Sequence, residues 1–168
     1  GYLAGPFPPD GRRMVVYRLS TDRWSLGVPS LETGAVRWTD LSPEESQFGR
    51  TVAWRSADEL LGIFRPDHSL PIAFRIGNQA QDRVRALWEA TESGRRVGGT
   101  WIPSGARRDL RSQPPPLQLR SLNLATGEDR LLAEGAIYDF MLSPDRSRLV
   151  VMEEREGRPR RRAYPQSL

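Results

Sequence analysis

The fold is decided by one stretch, Tyr138-Asp139-Phe140-Met141-Leu142-Ser143-Pro144-Asp145-Arg146-Ser147-Arg148-Leu149-Val150-Val151-Met152, which reads as a strand, a tight turn and a second strand. Pro144 fixes φ near the value that the second turn position needs, and the Asp145 side chain can bond to the backbone two residues later. Residues 149–152 are continuously apolar and predict one buried strand. The stretch therefore predicts a β-hairpin, and weaker copies of it recur along the chain.

The closest copy stands near the beginning, where Pro9-Asp10-Gly11-Arg12-Arg13-Met14-Val15-Val16 matches Pro144-Asp145-Arg146-Ser147-Arg148-Leu149-Val150-Val151. Trp54 precedes Asp58 by as many residues as Met141 precedes Asp145, although the turn that follows is shorter. Trp101 opens a further segment of the same kind. The spacings from Trp54 to Trp101 and from Trp101 to Met141 fall in the range of about 40–50 residues that four-stranded propeller blades show.

Short strands and glycine turns fill the space between these copies. Two turns share the sequence Thr-Gly, at Thr33-Gly34 and at Thr126-Gly127, and glycine supplies the positive φ that such hairpins need. The predicted strands cover residues 14–17, 24–28, 35–39, 51–54, 60–64, 70–76, 97–103, 117–124 and 129–133.

Residues 78–94 depart from the β pattern and predict a helix over about 80–92. Asn78 and Gln81 form a capping-box-like pair, and Gly94 suits a left-handed helix end. The alternative is an irregular polar strand. The predicted apolar face consists of Val84, Leu87, Trp88 and Thr91.

Composition limits the classes of protein that fit. The chain has 168 residues, a low hydrophobic fraction of 38%, and 15 Gly with 14 Pro, which favours many short elements joined by turns. It holds no Cys, so disulfides and thiol chemistry are excluded. No apolar run approaches the length of a membrane span. Because residue 1 is Gly rather than Met, we expect a processed protein or a fragment.

The Pro-Asp turn followed by an apolar strand and a Thr-Gly turn resembles the PD40 or TolB-like β-propeller repeat. Uneven spacing, the helical insertion and the Pro-rich loops are most similar to the N-terminal propeller of prolyl-oligopeptidase-like (S9-type) serine peptidases. The resemblance implies an all-β chain, a partial propeller of about four blades of antiparallel strands over residues 1–154. A tail or linker rich in Arg and Pro follows over residues 155–168.

The resemblance also implies a function. In that family the propeller restricts or positions peptide substrate for a separate α/β-hydrolase domain, which is absent from this chain. The expected partners are that domain or further blades of the parent chain, and a peptide or protein ligand. The alternative is a TolB-like or WD40-like protein–protein interaction scaffold. Family members are often exported from bacterial cells, which favours a periplasmic or secreted location.

No catalytic constellation is found in the sequence. A serine hydrolase needs Gly-x-Ser-x-Gly and a His base, but the motif is absent and His68 is the only His. Asp67-His68-Ser69 reads as a turn, since adjacent residues cannot converge as a triad. The acid pairs Glu44-Glu45 and Glu153-Glu154 read as solvated carboxylates. We therefore predict no catalytic, cofactor-binding or metal-binding residue and no bound cofactor.

Two further features have competing interpretations. The cluster of Arg in residues 155–162 either binds phosphates or forms a solvated loop, and the absence of a nearby aromatic platform favours the loop over nucleic-acid binding. The Trp residues either pack between blades or line a ligand groove. Trp54 and Trp101 are predicted to be buried at equivalent places, whereas Trp38 fits either role.

Overall fold

The computed structural model describes residues 1–45, 51–95 and 116–153. Within these residues the chain forms antiparallel β-strands and one α-helix. The strands are β1 (Tyr2–Ala4), β2 (Val16–Leu19), β3 (Trp24–Pro29), β4 (Val36–Trp38), β5 (Val52–Trp54), β6 (Glu59–Phe64), β7 (Leu117–Asn123), β8 (Asp129–Gly135), β9 (Ile137–Leu142) and β10 (Leu149–Glu153), and the helix α1 spans Ile72–Glu92.

The first sheet is a four-stranded meander in the order β1-β2-β3-β4. Its neighbours are all antiparallel, with Tyr17 opposite Leu26 and Val28 opposite Arg37. The predicted Thr-Gly turn joins β3 to β4, and Gly34 there has a φ of 72°. Only glycine adopts this conformation without steric cost, so the turn is set locally.

The second sheet has the order β5-β6-β7-β8 and is also antiparallel throughout. β6 and β7 pair from Glu59 opposite Asn123 to Phe64 opposite Gln118, although α1 lies between them in sequence. The second Thr-Gly turn joins β7 to β8, with Gly127 at a φ of 78°. The strands after the insertion therefore complete the sheet that β5 and β6 begin.

β9 and β10 form the C-terminal hairpin that the opening stretch predicts, with Leu149 opposite Leu142. In the turn, the Arg146 amide donates to the Ser143 carbonyl (2.8 Å). The Ser147 amide donates to the Asp145 carboxylate (3.1 Å), which is the bond expected from the sequence.

Three Pro-Asp turns share one geometry. In the turns at 8–12, 65–69 and 143–147, the residue after Asp has a positive φ, and these residues are Gly11 (65°), His68 (53°) and Arg146 (59°). In each turn, the backbone amide of the residue two positions after Asp donates to the Asp carboxylate. The sequence comparison identified the first and last copies, and the middle one is interrupted by His at the third position.

The two sheets and the hairpin form three units, and two apolar cores pack these units face to face. The inter-sheet core joins the first and second sheets through Val15, Leu26, Val28, Val52, Trp54, Leu60, Phe64, Leu122 and Leu124. The hairpin core joins the other face of the second sheet to the hairpin through Leu61, Ile63, Leu117, Leu119, Ile137 and Phe140. Alternate residues of β6 enter opposite cores, because successive side chains of a strand point to opposite faces.

Several sequence expectations need correction. The described strands form two four-stranded sheets and one hairpin, and β7 and β8 complete the second sheet instead of opening a unit of their own. The final apolar run is not a buried strand: Val150 is 57% exposed, since only one face of the hairpin meets a neighbour. Four predicted features lie outside the described residues: the strand at 97–103, Trp101, Glu154 and the tail at 155–168.

The helix is longer than predicted, and the predicted strand over 70–76 is wrong. α1 begins at Ile72, directly after Pro71, whose carbonyl accepts from the amides of Phe74 and Arg75 (both 3.1 Å). Proline suits a helix start because it lacks the amide that would be unpaired there. Asn78 is not a cap, and its side-chain amide donates to the Thr21 carbonyl (3.3 Å).

The helix end is as predicted. Gly94 has a φ of 72°, its amide donates to the Thr91 carbonyl (3.0 Å), and the Arg95 amide donates to that of Ala90 (2.9 Å). This pair of bonds is the Schellman pattern. The predicted all-β class holds in its coarser form, since the described ranges are mostly antiparallel β-structure with one helix.

Candidate functional site

A cleft lies where the first strands of the three units end. These strands are β1, β5 and β9, and each runs into a turn at the same end of the stack. The cleft has a volume of 490 Å³, within the range of roughly 300–1,000 Å³ found for small-ligand sites. It is lined by Pro6, Phe7, Val52, Ala53, Trp54, Leu142, Ser143, Pro144 and Arg146.

Each of the three units supplies one wall of this first-strand cleft. The loop after β1 contributes Pro6 and Phe7, β5 forms the floor, and the turn after β9 contributes Pro144 and Arg146. The Phe7 side chain is 57% exposed although Val15, at the other end of the same turn, is fully buried. The cleft thus presents an aromatic ring and a proline ring to solvent.

Two hydrogen bonds between units fix the walls. The Trp54 indole Nε1 donates to the Pro6 carbonyl (2.9 Å), which joins β5 to the loop after β1. The Arg55 Nε donates to the Arg146 carbonyl (3.2 Å), which joins β5 to the turn after β9. Trp54 is only 5% exposed, so its burial confirms the sequence prediction for this residue. These two hydrogen bonds therefore fix the positions of the three walls relative to one another.

Charged side chains of both signs lie at the cleft or beside it. Arg55 pairs with Glu59 (3.4 Å), whereas the guanidinium of Arg146 has no ion pair within the described residues. Asp145 accepts from Ser143 Oγ (2.5 Å) and from Ser147 Oγ (2.8 Å). These bonds, with that from the Ser147 amide, lower the pKa of Asp145 to about 2. The Asp145 carboxylate is thus engaged within its own turn.

A second polar group, the Arg65 cluster, is buried directly after the end of β6. Arg65 is 4% exposed, pairs with Glu44, and donates from Nε to Ser69 Oγ (2.9 Å). The sequence interpretation of Glu44 as a solvated acid is wrong, because its side chain is 13% exposed and meets the buried guanidinium. Such a pair fixes packing, and removal of one partner leaves an unpaired buried charge.

Burial shifts the pKa values of the groups beside this cluster. Burial and the neighbouring Glu44 charge raise the pKa of Glu45, and burial and Glu45 raise that of Tyr17. Burial also acts to raise the pKa of Asp67, but hydrogen bonds from Ser69 and the charge of Arg65 outweigh it, and the net shift is downward. The cluster closes the end of the inter-sheet core.

His68 lies in a turn, as expected from the sequence. Its Nδ1 is 3.4 Å from Ser42 Oγ, but Ser42 is fully buried and therefore out of reach of a substrate. The Asp67 carboxylate bonds to Ser69 and not to the imidazole. Within the described part of the chain, Ser42, His68 and Asp67 therefore do not form a hydrogen-bonded series of nucleophile, base and acid.

The Trp residues within the described ranges do not share one groove. Trp24 is buried at 1% exposure and stacks on Tyr17 (5.1 Å between ring centroids). Trp38 lies on the outer face of the first sheet, where the Arg18 guanidinium is 4.3 Å from its ring centroid. Gly27 permits this position, since a Cβ there would come within 2.7 Å of the Trp38 ring. Trp88 is 66% exposed on α1.

Phe7, Arg55 and Arg146 were not singled out in the sequence as functional residues. The signal in the sequence that points to these residues is the repeated Pro-Asp turn at 9–16 and 144–151. In stacked sheets, equivalent turns of successive units come to lie at one end of the stack. The residues beside each turn therefore become neighbours, which the motif alone does not state.

Within residues 1–45, 51–95 and 116–153, His, Asp and Glu side chains do not gather into a group able to hold a metal ion. The described ranges contain one helix, α1, and it is not long and apolar enough to cross a membrane. Comparison of the chain with protein-family models, curated proteins and solved structures gave no match. Functional interpretation therefore rests on the residues and their arrangement.

Proposed function

We propose that this chain is a non-catalytic segment of a β-propeller, and that it restricts or positions peptide substrate for a hydrolase domain elsewhere in the parent protein. One observation carries the proposal. The second sheet packs on a neighbour through each of its faces, and the first strands of all three units lead to one cleft. Successive blades of a propeller pack in this way around a central channel.

The cleft suits a short extended peptide. Its volume of 490 Å³ lies in the range of small-ligand sites, and its lining combines polar surface with the side chains of Phe7 and Pro144. Peptide chemistry itself belongs to the other domain in this proposal. Ser42 is buried, and the Asp67 carboxylate bonds to Ser69 instead of the His68 imidazole, so these residues lack the accessible nucleophile and the oriented base that acyl transfer requires.

Two measurements test the proposal. The purified chain is expected to hydrolyse neither peptides nor esters, and turnover that His68→Ala abolishes would contradict this. In the parent protein, Phe7→Ala is expected to raise KM for peptides several-fold while leaving kcat for a small ester unchanged. A parent sequence without Gly-x-Ser-x-Gly and later Asp and His would exclude the peptidase part.

A scaffold that contacts other proteins is the second candidate. The observation that favours it is the row of exposed apolar residues on α1, with Ile76 at 50%, Val84 at 52% and Leu87 at 46% exposure. Exposed apolar patches mark interaction sites in soluble proteins. The parent sequence separates the two functions, because a scaffold requires no hydrolase motif downstream.

A further inference from the structure

We propose that the first-strand cleft binds a peptide through a carboxylate, with the Arg146 guanidinium as its partner and the rings of Phe7 and Pro144 against the adjoining apolar side chain. The inference rests on the proposed function, which it extends by naming the class of ligand. Its basis is that an open cleft, the exposed Phe7 ring and an Arg146 that has no ion pair within the described residues occur in one place.

The Arg146 side chain is available to a ligand. Arg146 lines the cleft, and its backbone, not its side chain, makes the recorded bonds: the amide to Ser143 and the carbonyl to Arg55 Nε. A guanidinium binds a carboxylate in a bidentate geometry with charge-assisted hydrogen bonds. The turn holds the Cα of Arg146 in place, so the position from which the side chain reaches is defined.

Nearby acids do not satisfy this cation. The Asp145 carboxylate is engaged by Ser143 and Ser147. Glu59 pairs with Arg55 and also accepts from Ser121 Oγ (2.6 Å), while Asp58 pairs with Arg13 (2.8 Å). An anion entering the cleft is therefore the available partner for Arg146.

The rest of the ligand lies against the walls of the cleft. Phe7 and Pro144 stand on opposite walls, and Ala53 and Trp54 belong to the floor between them. Aromatic and proline rings bury apolar side chains without polar demand. The carboxylate can be the C-terminal group of a peptide or an acidic side chain next to an apolar residue, and both present the same chemistry.

The test follows the indole N–H resonance of Trp54 by NMR, with that of Trp38 on the outer face of the first sheet as the control position. Three probes are titrated: acetyl-Ala-Pro-Phe with a free carboxylate, the same peptide as its C-terminal amide, and acetyl-Pro-Glu-Phe amide. The free acid is expected to shift Trp54 and not Trp38, and to bind about tenfold more tightly than its amide. Binding of the glutamate peptide shows whether a side-chain carboxylate also serves.

Arg146→Gly is the decisive variant, because Gly11 occupies the same turn position at a similar φ and the turn is therefore retained. It should abolish the preference for the free acid, whereas Arg148→Gln, which removes an exposed charge from the same hairpin, should change affinity less than about twofold. Equal binding of acid and amide at Trp54, or a preference that survives Arg146→Gly, would overturn the inference and leave peptide binding standing. Absence of any Trp54 response to all three peptides would count against the proposed function as well.

Discussion

The third position of the Pro-Asp turn shows how a single residue controls local structure. Gly11, His68 and Arg146 all take a positive φ there, a conformation that costs side-chain-bearing residues roughly 1–2 kcal/mol. The turn persists in the two unfavourable cases because the Asp carboxylate accepts the amide that follows. Each hairpin or helix that starts after the turn depends on this local set of bonds.

Two glycine substitutions should have opposite signs. A Cβ added at Gly11 or at Gly77 meets no atom within 4 Å, so crowding plays no part at either position. Gly11→Ala should lower the free energy of unfolding by about 1 kcal/mol, because φ is 65°. Gly77→Ala, in the exposed face of α1, should raise it by roughly 0.5–1 kcal/mol. Urea unfolding of both variants checks this, and equal signs would contradict it.

Asp145 should make stability depend on acid pH. Its pKa is lowered in the folded protein from 3.8 to about 2, so the carboxylate stabilises the fold above its unfolded pKa and loses this effect as pH falls through the folded value. Asp145→Asn should flatten the decline of stability in that window. Asp22→Asn is the matched control, since no hydrogen bond or ion pair of Asp22 is recorded among the described residues. An unchanged slope in Asp145→Asn would be the contrary result.

Replacing Trp54, which lines the cleft, should strongly lower the free energy of unfolding. Trp54 is 5% exposed, belongs to the inter-sheet core and bonds to the Pro6 carbonyl. Trp54→Ala should lower the free energy of unfolding by about 3–5 kcal/mol. Trp88→Ala, at 66% exposure, should stay within about 0.5 kcal/mol. Thermal or urea unfolding measures both, and similar values would refute the assignment.

At the scale of elements, α1 is attached by one end. Phe74 lies 4.7 Å from Trp24 between ring centroids, and Asn78 bonds to Thr21. Val84, Leu87 and Trp88, which the sequence places on one apolar face of the helix, are exposed. Periodicity identified the helix correctly but not its environment, because the same pattern fits any apolar partner.

Loss of the Phe74 contact should release the helix. Phe74→Ala should lower stability by about 1–2 kcal/mol, less than the 3–5 kcal/mol of a fully buried Phe, because Phe74 is only partly buried. Amide hydrogen exchange over residues 72–92 should accelerate, while exchange in β6 and β7 should change little. Val84→Ala is the control and should leave both unchanged. Uniform acceleration in the sheets would show that the helix is integral to the core.

The strand pairing also shows what local sequence cannot state. The Pro-Asp and Thr-Gly turns define their hairpins, because each closes a hydrogen-bonded pair within a few residues. The pairing of β6 with β7 crosses the insertion and is decided by the sheet. The equivalence of Trp54 and Met141 fails for the same reason: Met141 is 53% exposed, and Phe140 occupies the buried face instead.

At the scale of the whole molecule, two apolar faces lack a neighbour within the described residues. One is the outer face of the hairpin, with Met141 directly opposite Val150 at 53% and 57% exposure. The other is the outer face of the first sheet, where Tyr2 is 68% exposed beside Trp38. Val15, in the matching copy of the repeat near the beginning of the chain, is by contrast buried in the inter-sheet core.

The isolated chain should therefore self-associate or be only marginally stable. Apolar faces and unpaired strand edges recruit other chains. Sedimentation at several concentrations should show association, and Met141→Glu with Val150→Lys should reduce it. The double substitution Asp22→Asn with Arg148→Gln, on exposed polar positions, is the control. A monodisperse monomer with a cooperative, concentration-independent melt above about 60 °C would contradict the prediction.

The sequence by itself determined the turns, most strands, the hairpins and the presence of one helix, because those features depend on φ preferences, side-chain bonds to nearby amides and local periodicity. The tertiary structure alone decided which strands share a sheet, which face of each strand is buried, where α1 begins and that Phe7 and Arg146 line the same cleft. The reason is physical: turns are stabilised by contacts a few residues apart, whereas burial and charge pairing depend on surfaces that the chain brings together only when it folds.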